Sequence, residues 1–189
     1  MNRARAVFID RDGTLIEEVG YLDRPERVAL YPWTIDAVRA LNRGGFRVVL
    51  VSNQSGVARG FFTEAVVEAV HRHIAELLEA GGARIDAYYY CPHHPDGKVK
   101  AYAVACDCRK PARGLVDRAA RELGVDPSRS FVVGDRWLDV ELAREVGARS
   151  VLVRTGYGLT EEAKPREGVT ADAVADNLIA AASWILRSG

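Results

Sequence analysis

The chain contains 189 residues, of which 48% are hydrophobic and 28% charged, and its formal net charge at pH 7 is zero. This length and composition are ordinary for a globular protein with one well-formed core, so we expect a single domain over residues 1–189. The balanced charge argues against nucleic acid or a membrane as a partner, and without a signal-peptide pattern or a membrane-length apolar run we expect a cytoplasmic protein.

Short apolar runs recur along the chain and predict β-strands. They span residues 5–10, 46–53, 86–92, 130–135 and 150–156. Their nearly continuous hydrophobic character is typical of strands that are buried on both faces, as in a parallel sheet.

Hydrophobic residues at helical spacing fill the intervals between these strands. The stripes consist of Ile35, Val38 and Leu41; of Val66, Val70, Ile74 and Leu77; of Leu115, Ala119 and Leu123; and of Leu138, Leu142 and Val146. Thr63 is placed to cap the second helix, and Gly124 and Gly147 are placed to end the third and fourth. Strands that alternate with helices indicate an open, doubly wound parallel α/β sheet.

The remaining segments carry weaker patterns. Residues 157–171 are predicted to form a polar loop, and residues 172–187 to add one more short strand or helix. His71 and His73 fall on the polar side or the flank of the second helix, so we expect both to be surface residues.

Polar motifs follow four of the predicted strands. They are DRDGT at 10–14, SNQSG at 52–56, a Cys/His segment at 91–108 and GDRWLD at 134–139. In open α/β sheets ligands bind at the carboxyl ends of the strands, so these motifs should converge on one cleft.

Asp10 and Asp12 end a buried strand with one residue between them. Alternate residues of a strand point to the same side, and two adjacent carboxylates are unfavourable unless a cation or a proton lies between them. The alternative is a pair of solvated turn acids, which Gly13 would fit equally well.

DRDGT, SNQSG, R-K-P and G-D-x-x-x-D, in this order, resemble the motifs of the haloacid dehalogenase superfamily of phosphatases. The resemblance implies that Asp10 is the nucleophile and forms an aspartyl-phosphate, and that Asp12 is first the general acid and then the base. It further implies that Mg²⁺ is held by Asp10, by the backbone carbonyl of Asp12 and by Asp135.

The same resemblance assigns the residues that would handle the phosphoryl group. Ser52 and Lys110 would bind its oxygens, Gly13 would permit a tight turn close to it, and Asp139 would orient Lys110 or a metal-bound water. The alternatives are purely structural roles: a helix cap for Ser52, a surface lysine for Lys110, a turn residue for Asp135 and an acid at a helix start for Asp139.

The segment at 91–108 contains all three cysteines of the chain, in the pattern C-x-H, twelve residues, C-x-C. An odd number of cysteines argues against a disulfide framework, and four soft or borderline ligands suit a structural zinc ion, although this is not a standard finger spacing. The loop resembles that of the heptose 1,7-bisphosphate and histidinol-phosphate phosphatases, which implies the ligands Cys91, His93, Cys106 and Cys108. The alternatives are His94 in place of His93, or three free thiols.

The resemblance to the heptose 1,7-bisphosphate phosphatases covers roughly residues 5 to 160. It implies removal of the 7-phosphate of D-glycero-D-manno-heptose 1,7-bisphosphate, a small sugar phosphate. The implied substrate contacts are Glu18, Val19, Gly20, Tyr21, Ser52, Asn53, Gln54, Ser55, Arg109 and Lys110. Arg136 stands where a lysine is expected, and the planar guanidinium of an arginine does not make the same contacts as an ammonium group.

The spacing between motifs leaves no room for a large cap domain, so the site should be open, with the zinc loop and residues 17–22 as its walls. A phosphomutase usually needs a cap to exclude water, and a non-catalytic zinc module has no use for adjacent carboxylates. A nucleic-acid 3′-phosphatase would be expected to carry a basic stripe. Histidinol-phosphate phosphatase remains the alternative within this family, the sugar anomer stays open, and a monomer is expected.

Overall fold

The computed structural model describes residues 3–188, and its centre is a six-stranded sheet in which every neighbouring pair of strands is parallel. The strands are β1 (Ala6–Ile9), β2 (Arg47–Asn53), β3 (Ala87–Cys91), β4 (Phe131–Gly134), β5 (Arg149–Val153) and β6 (Ala173–Ala175). Their order across the sheet is β3-β2-β1-β4-β5-β6. Residues 1, 2 and 189 of the expected single domain lie outside the described residues.

The strand order reverses at β1, which has β2 on one side and β4 on the other. Ile9 is in register with Leu50 of β2 and with Val133 of β4. The residues that follow these strands therefore leave the sheet along one edge, with Asp10 and Asp135 at its switch point.

Helices cover both faces of the sheet. They are α1 (Thr34–Arg43), α2 (Glu64–Ala80), α3 (Gly114–Leu123), α4 (Trp137–Val146), α5 (Gly158–Glu162) and α6 (Leu178–Ser188). Side chains of α1, α2 and α6 bury against one face, where Val7 and Ile9 of β1 point, and side chains of α3 and α4 bury against the other, where Ala6 and Phe8 point. This alternation along a fully buried strand explains the unbroken apolar sequence of residues 6–9.

The predicted doubly wound fold is confirmed, and the described residues include no large cap domain. Helices α3 and α4 end at Gly124 and Gly147 in the left-handed conformation, with φ of 64° and 73°. Thr63 is the residue immediately before α2, but its side chain makes no capping hydrogen bond. No helix within residues 3–188 is long and apolar enough to cross a membrane.

Two predictions about the C-terminal third need correction. The polar loop expected at 157–171 contains the short helix α5, and residues 172–187 form both a strand, β6, and a helix, α6, rather than one of the two. β6 and α6 are anchored by packing that the local sequence does not reveal. Val151 of β5 pairs with Ala173, and α6 packs across α1.

The surface prediction for His71 is wrong, because this side chain is only 6% exposed. Its ring lies against Tyr88 and Tyr90 of β3, with centroids 5.2 and 5.6 Å away. The buried face of α2 consists of Val67, Val70, His71, Ile74 and Leu78, so the stripe is rotated slightly from the predicted one. His73 is half-exposed.

Candidate active site

A cleft of about 320 Å³ opens at the carboxyl ends of β1, β2 and β4. Its lining includes Asp10, Asp12, Glu18, Gly20, Tyr21, Ser52, Asn53, Gln54, Ser55, Arg109 and Lys110, all of them site residues predicted from the sequence. The size is that of a site for a small molecule. The motifs therefore converge as the topology of an open α/β sheet requires.

Lys110 lies at the floor of the cleft between two carboxylates. Its Nζ donates hydrogen bonds of 2.7 Å to Asp10 Oδ1 and to Asp139 Oδ1, and the lysine is 3% exposed. Burial alone lowers the pKa of Lys110, but these two carboxylates outweigh it and raise the pKa above its ordinary value. Lys110 is thus a fixed, buried positive charge, which excludes the alternative that it is a surface lysine.

Three carboxylates lie close together beside Lys110. Oxygens of Asp10, Asp135 and Asp139 all lie within 4.8 Å of one another. Burial, with the nearby charge of Asp10, raises the pKa of Asp135 to about 8. Asp135 Oδ1 and Asp139 Oδ2 are buried and have no hydrogen-bond partner among the described residues.

This arrangement fits a hard divalent cation. The oxygen donors match the preference of Mg²⁺ for carboxylates, and a cation would satisfy the buried unpartnered oxygens and reverse the raised pKa of Asp135. The side chain of Asp12 is not part of the group, which leaves only its backbone carbonyl for the predicted metal contact. Asp139 belongs to the group, although the sequence suggested only that it would orient Lys110 or a water.

Two glycines let the backbone approach Asp135 closely. Gly13 has φ of 77°, and a Cβ atom there would lie 2.2 Å from Asp135 Oδ2. Gly156 has φ of 55° and would bring a Cβ equally close to the same oxygen. The turn role predicted for Gly13 agrees with this geometry, whereas Gly156 was not singled out, although a Thr-Gly pair that follows a strand is a turn signal.

Asp12 is held by two neighbours at the edge of the cleft. Arg11 donates to its carboxylate through Nε, 3.1 Å from each oxygen, and through NH2, 3.0 Å from Oδ1. Gln54 Nε2 donates to Asp12 Oδ2 at 2.9 Å and to Ser52 Oγ at 2.7 Å. The carboxylate is therefore not a solvated turn acid.

Asn53 also makes contacts within the protein. Its side-chain oxygen accepts a hydrogen bond from the backbone N–H of Lys110 at 2.9 Å, and its amide nitrogen donates to the Lys110 carbonyl at 3.1 Å. The loop after β2 thus fixes the backbone from which the lysine reaches into the cleft.

The mouth of the cleft is formed by the loop after β1 and by residues around 136 and 157. Glu18 Oε1 accepts the backbone N–H of Gly20, and burial raises the pKa of Glu18. Val19 does not line the cleft, because its side chain packs against the larger core cluster, which argues against the predicted substrate contact. Tyr21 is 43% exposed and meets Phe61 edge-on, with ring centroids 4.5 Å apart.

The guanidinium of Arg136 lies 3.9 Å from the ring centroid of Tyr157, and both residues line the cleft. This stacking is a role that an arginine plane fills better than an ammonium group. The sequence did not identify Gly56, Phe62, Leu138 or Tyr157 as lining residues. Apolar and aromatic residues carry no chemical signature of their own, so only the fold reveals them.

The predicted ligands Cys91, His93, Cys106 and Cys108 converge beside the cleft, with donor atoms within 4.8 Å of one another. The sulfur of Cys106 lies 3.5 Å from that of Cys91 and 3.4 Å from that of Cys108, and His93 Nδ1 lies 3.3 Å from the Cys108 sulfur. Zinc–sulfur bonds of about 2.3 Å in a tetrahedron place two sulfurs about 3.8 Å apart, so the spacing fits zinc.

His94 is turned away from this cluster. Its Nδ1 accepts the backbone N–H of Asp96 at 3.1 Å, and its Nε2 lies 3.3 Å from Arg59 NH2. Burial raises the pKa of Cys108 to about 11, so a cation is needed to hold its sulfur as a thiolate at neutral pH. The geometry favours His93 over His94 and argues against three unrelated thiols.

Comparison with known proteins agrees with this geometry. The family model for polynucleotide kinase 3 phosphatase matches residues 5–140, and a HAD-hydrolase-like family model matches residues 107–181. The D-glycero-beta-D-manno-heptose-1,7-bisphosphate 7-phosphatase of Yersinia pestis is 40% identical over 97% of this chain and 90% of its own. The D-glycero-D-manno-heptose-1,7-bisphosphate 7-phosphatase of Thermosynechococcus vestitus is 44% identical over 95% and 94%.

Solved structures give the same result. The D,D-heptose 1,7-bisphosphate phosphatase of B. bronchiseptica, complexed with magnesium and phosphate, superposes with a TM-score of 0.87 at 32% identity, covering 98% of this chain and 99% of its own. The corresponding enzyme of Burkholderia thailandensis has a TM-score of 0.71 at 29% identity, covering 96% and 98%.

Proposed function

Since the chain belongs to the heptose 1,7-bisphosphate 7-phosphatase family of haloacid-dehalogenase-type hydrolases, we propose that it removes the 7-phosphate of D-glycero-D-manno-heptose 1,7-bisphosphate. The observation that carries the proposal is the pairing of two acids at one cleft. Asp10 Oδ1 accepts a 2.7 Å hydrogen bond from the buried Lys110. The side chain of Asp12 lies outside the group of carboxylates formed by Asp10, Asp135 and Asp139.

The first step is attack by a carboxylate oxygen of Asp10 on phosphorus. The bond from phosphorus to the sugar oxygen breaks, and a proton from Asp12 goes to that oxygen as the alcohol leaves. We assign Lys110 and Ser52, which line the cleft, to donation of hydrogen bonds to the oxygens of the transferring group. Asp139 accepts a hydrogen bond from Lys110 and would hold it in position. Mg²⁺ bound by Asp10, Asp135 and the Asp12 carbonyl would neutralise the charge on these oxygens.

The second step regenerates the enzyme. A water attacks phosphorus, its proton passes to the Asp12 carboxylate, and the bond between phosphorus and the Asp10 oxygen breaks to release inorganic phosphate. The proton that Asp12 gives to the leaving oxygen is thus replaced by one from the attacking water, so the same carboxyl group serves first as acid and then as base.

The mouth of the cleft supplies charges for a substrate with two phosphates. Arg109 and Arg136 both line it, and Arg109 is anchored by a 3.3 Å hydrogen bond from NH1 to the His93 carbonyl. We assign these arginines to recognition of the substrate, including the phosphate that is not transferred, because guanidinium groups bind phosphate in a forked geometry. We also assign Glu18 and Gly20, which line the cleft, to contacts with sugar hydroxyls.

We further propose that Cys91, His93, Cys106 and Cys108 hold a structural zinc ion. The role is supported by the position of the cluster, because Cys108 is followed directly by Arg109 and Lys110. A closed four-ligand site would fix the loop that carries both cations into the cleft.

The monomer expected from the sequence stays a prediction. Cysteines gathered with a histidine into a metal cluster are typical of a reducing compartment, which supports a cytoplasmic location.

The family match over residues 5–140 raises a second candidate, removal of a 3′-phosphate from a polynucleotide. The zero net charge speaks against it, because nucleic-acid sites are rich in positive charge.

The deciding experiment measures phosphate release by the Mg²⁺-supplied protein. The panel contains both anomers of heptose 1,7-bisphosphate, histidinol phosphate, an aryl phosphate and a 3′-phosphorylated oligonucleotide, with Asp10→Asn as the inactive reference. A clear preference for one heptose anomer supports the proposal and settles the anomer. Preference for histidinol phosphate or the oligonucleotide would contradict the proposed substrate but remain consistent with the proposed mechanism. Release of phosphate from none of them would contradict both.

A further inference from the structure

Arg11 is a fully buried arginine, only 1% exposed, next to the acid–base residue Asp12. Its guanidinium meets the Asp12 carboxylate through Nε and NH2 at 3.0 to 3.1 Å. A buried charge is costly unless it is paired, and Asp12 is the ion-pair partner of Arg11. The third guanidinium nitrogen, NH1, is buried without a hydrogen-bond partner among the described residues, so the polar contacts of Arg11 are directed to the Asp12 side.

Gln54 closes the arrangement from the other side. Its Oε1 accepts from Arg11 NH2 at 2.9 Å, and its Nε2 donates to Asp12 Oδ2 at 2.9 Å. The three side chains form a closed triangle in which every pair is hydrogen-bonded. Gln54 is only 4% exposed, so its amide is occupied inside the protein although the residue touches the cleft.

The triangle is asymmetric with respect to solvent. The Asp12 side chain is 18% exposed, whereas that of Arg11 is 2% exposed. Both neighbours therefore reach the carboxylate from its buried side and leave the other side open to the cleft. Each carboxylate oxygen has more than one acceptor direction, so it can receive these bonds and still face a leaving group.

His71, a buried residue of α2, adds no second positive charge near Arg11. His71 lies close enough to interact with the guanidinium, and burial, together with Arg11, lowers the pKa of His71 to about 3. The histidine is therefore neutral under ordinary conditions, and its other ring neighbours are Tyr88 and Tyr90. Arg11 is the positive charge at this place and has Asp12 as its ion-pair partner.

We propose that Arg11 and Gln54 are positioning residues that hold the carboxylate of Asp12 where it can exchange a proton with the leaving oxygen and with the attacking water. This inference rests on the proposed phosphatase function. A short side chain in a loop would otherwise sample several rotamers, and misplacement of a catalytic group by about 1 Å can reduce a rate about 100-fold. Gln54 is thereby assigned to the geometry of Asp12 instead of the substrate contact expected from the sequence.

The test separates the two steps with p-nitrophenyl phosphate, whose leaving group departs without a proton. If Asp12 is misplaced, phosphorylation of Asp10 by this substrate still proceeds, but hydrolysis of the aspartyl-phosphate slows. Rapid mixing of Mg²⁺-supplied enzyme should then show a burst of p-nitrophenol followed by slow turnover.

The variants are Arg11→Lys, which keeps the charge and loses the fork, and Gln54→Met, which keeps the volume and loses both hydrogen bonds. Asp12→Asn is the reference for loss of the proton exchange. Arg59→Lys is the matched control. Arg59 is a half-buried arginine in the loop that also carries Gln54, and its side chain contacts His94 and does not line the cleft.

We expect both test variants to show the burst and to slow the later turnover at least about 10-fold relative to the wild type, as part of the 10²–10⁴-fold that acid–base catalysis supplies. With heptose bisphosphate, kcat should fall by a larger factor than KM changes. Arg59→Lys should match the wild type in both phases.

Wild-type kinetics in both variants would overturn the inference. An equal slowing of the first turnover and of the later turnovers would also overturn it, since that result indicates general damage to the site. If Arg11→Lys fails to fold, Gln54→Met decides alone, because it leaves the buried ion pair in place. A wild-type enzyme that releases phosphate from no substrate would overturn the proposed function itself, which separates the two failures.

Discussion

Lys110 and Asp139 form a buried ion pair, with Nζ 2.7 Å from Oδ1 and side chains that are 1% and 2% exposed. They lie 29 residues apart, so the fold alone brings them together. Asp139 is in the first turn of α4, where an acid would be favourable even in solvent, but here the carboxylate holds the lysine of the cleft floor. The pair links the geometry of α4 to the charge that faces the phosphoryl group.

Replacement of Asp139 by Asn should lower both activity and stability, because Lys110 would then keep only Asp10 as a buried anionic partner. We expect kcat to fall at least about 10-fold and the free energy of unfolding to fall by about 1–3 kcal/mol. Steady-state kinetics and urea denaturation measure the two effects. Asp117→Asn in α3 is the matched control, since its pair with Arg113 is largely exposed and should contribute less than about 1 kcal/mol. Asp139→Asn with the wild-type values would contradict the role.

Gly13→Ala should abolish activity through Asp135. The new Cβ would lie 2.2 Å from Asp135 Oδ2, and φ at this position is 77°. The side chain of Asp135 must then move, so we expect at least a 100-fold loss of kcat, of the order that misplacing a catalytic group costs, and a higher Mg²⁺ requirement in phosphate-release assays.

Gly45→Ala provides the control for Gly13→Ala. Gly45 has nearly the same φ of 76°, but a Cβ there meets nothing within 4 Å. Both substitutions should therefore carry a similar backbone cost of about 1–2 kcal/mol in stability. Only Gly13→Ala should lose activity, and equal activity loss in the two variants would show that backbone strain, not contact with Asp135, is responsible.

The sequence predicted the central strands and longer helices because each carries its own periodic pattern. It missed α5 and the separate identities of β6 and α6, because these elements are short and depend on partners such as β5 and α1. His71 was misplaced for a related reason. The tyrosines that bury it come from the edge strand β3, which no pattern within α2 can indicate.

The site shows the same division. The acids, the lysine and the Cys/His cluster were singled out because their chemistry limits what they can do, and the structure brings them together. The finer assignments depend on distance, and the sequence gives none. Gln54 and Asn53 lie in a motif that suggested substrate contact, yet both amides bond to other residues of the protein. The stacking of Arg136 on Tyr157 likewise joins residues whose proximity follows only from the fold.

Zinc content should distinguish the two neighbouring histidines of the loop. The purified protein is expected to contain about one zinc per chain, as a closed four-ligand site requires. Cys106→Ser should lower the zinc content and the melting temperature, and the loss of order next to Arg109 should raise KM more than it lowers kcat. Elemental analysis, thermal melting and steady-state kinetics make the three measurements.

His94→Ala is the matched control for the zinc cluster, because His94 bonds to Asp96 and Arg59 and not to the cysteines. It should retain the full zinc content. Loss of zinc in His94→Ala, with retention in His93→Ala, would reverse the assignment of the ligands.

His71 should make stability fall as the pH is lowered. Its pKa in the folded protein is about 3, because burial and the Arg11 charge disfavour protonation, whereas the ordinary value is 6.5. The unfolded chain therefore binds a proton between these values that the folded protein does not, so the stabilisation is present above pH 6.5 and is lost as the pH falls toward 3. The slope from one such proton is up to about 1.4 kcal/mol per pH unit.

His71→Phe should remove this dependence and still fill the space between Tyr88 and Tyr90. The substitution removes no hydrogen bond at Nε2, because this atom is buried without a partner among residues 3–188. Urea denaturation at pH 7 and at pH 4.5 should show that the wild type loses about 2–3 kcal/mol more than His71→Phe. His73→Gln controls for removal of a histidine from the same helix. If the wild type and His71→Phe lost stability in parallel, the titration of His71 on unfolding could not be the cause. Acid sensitivity would then have to come from carboxylates whose pKa is lowered in the folded protein, such as Glu122 and Asp126.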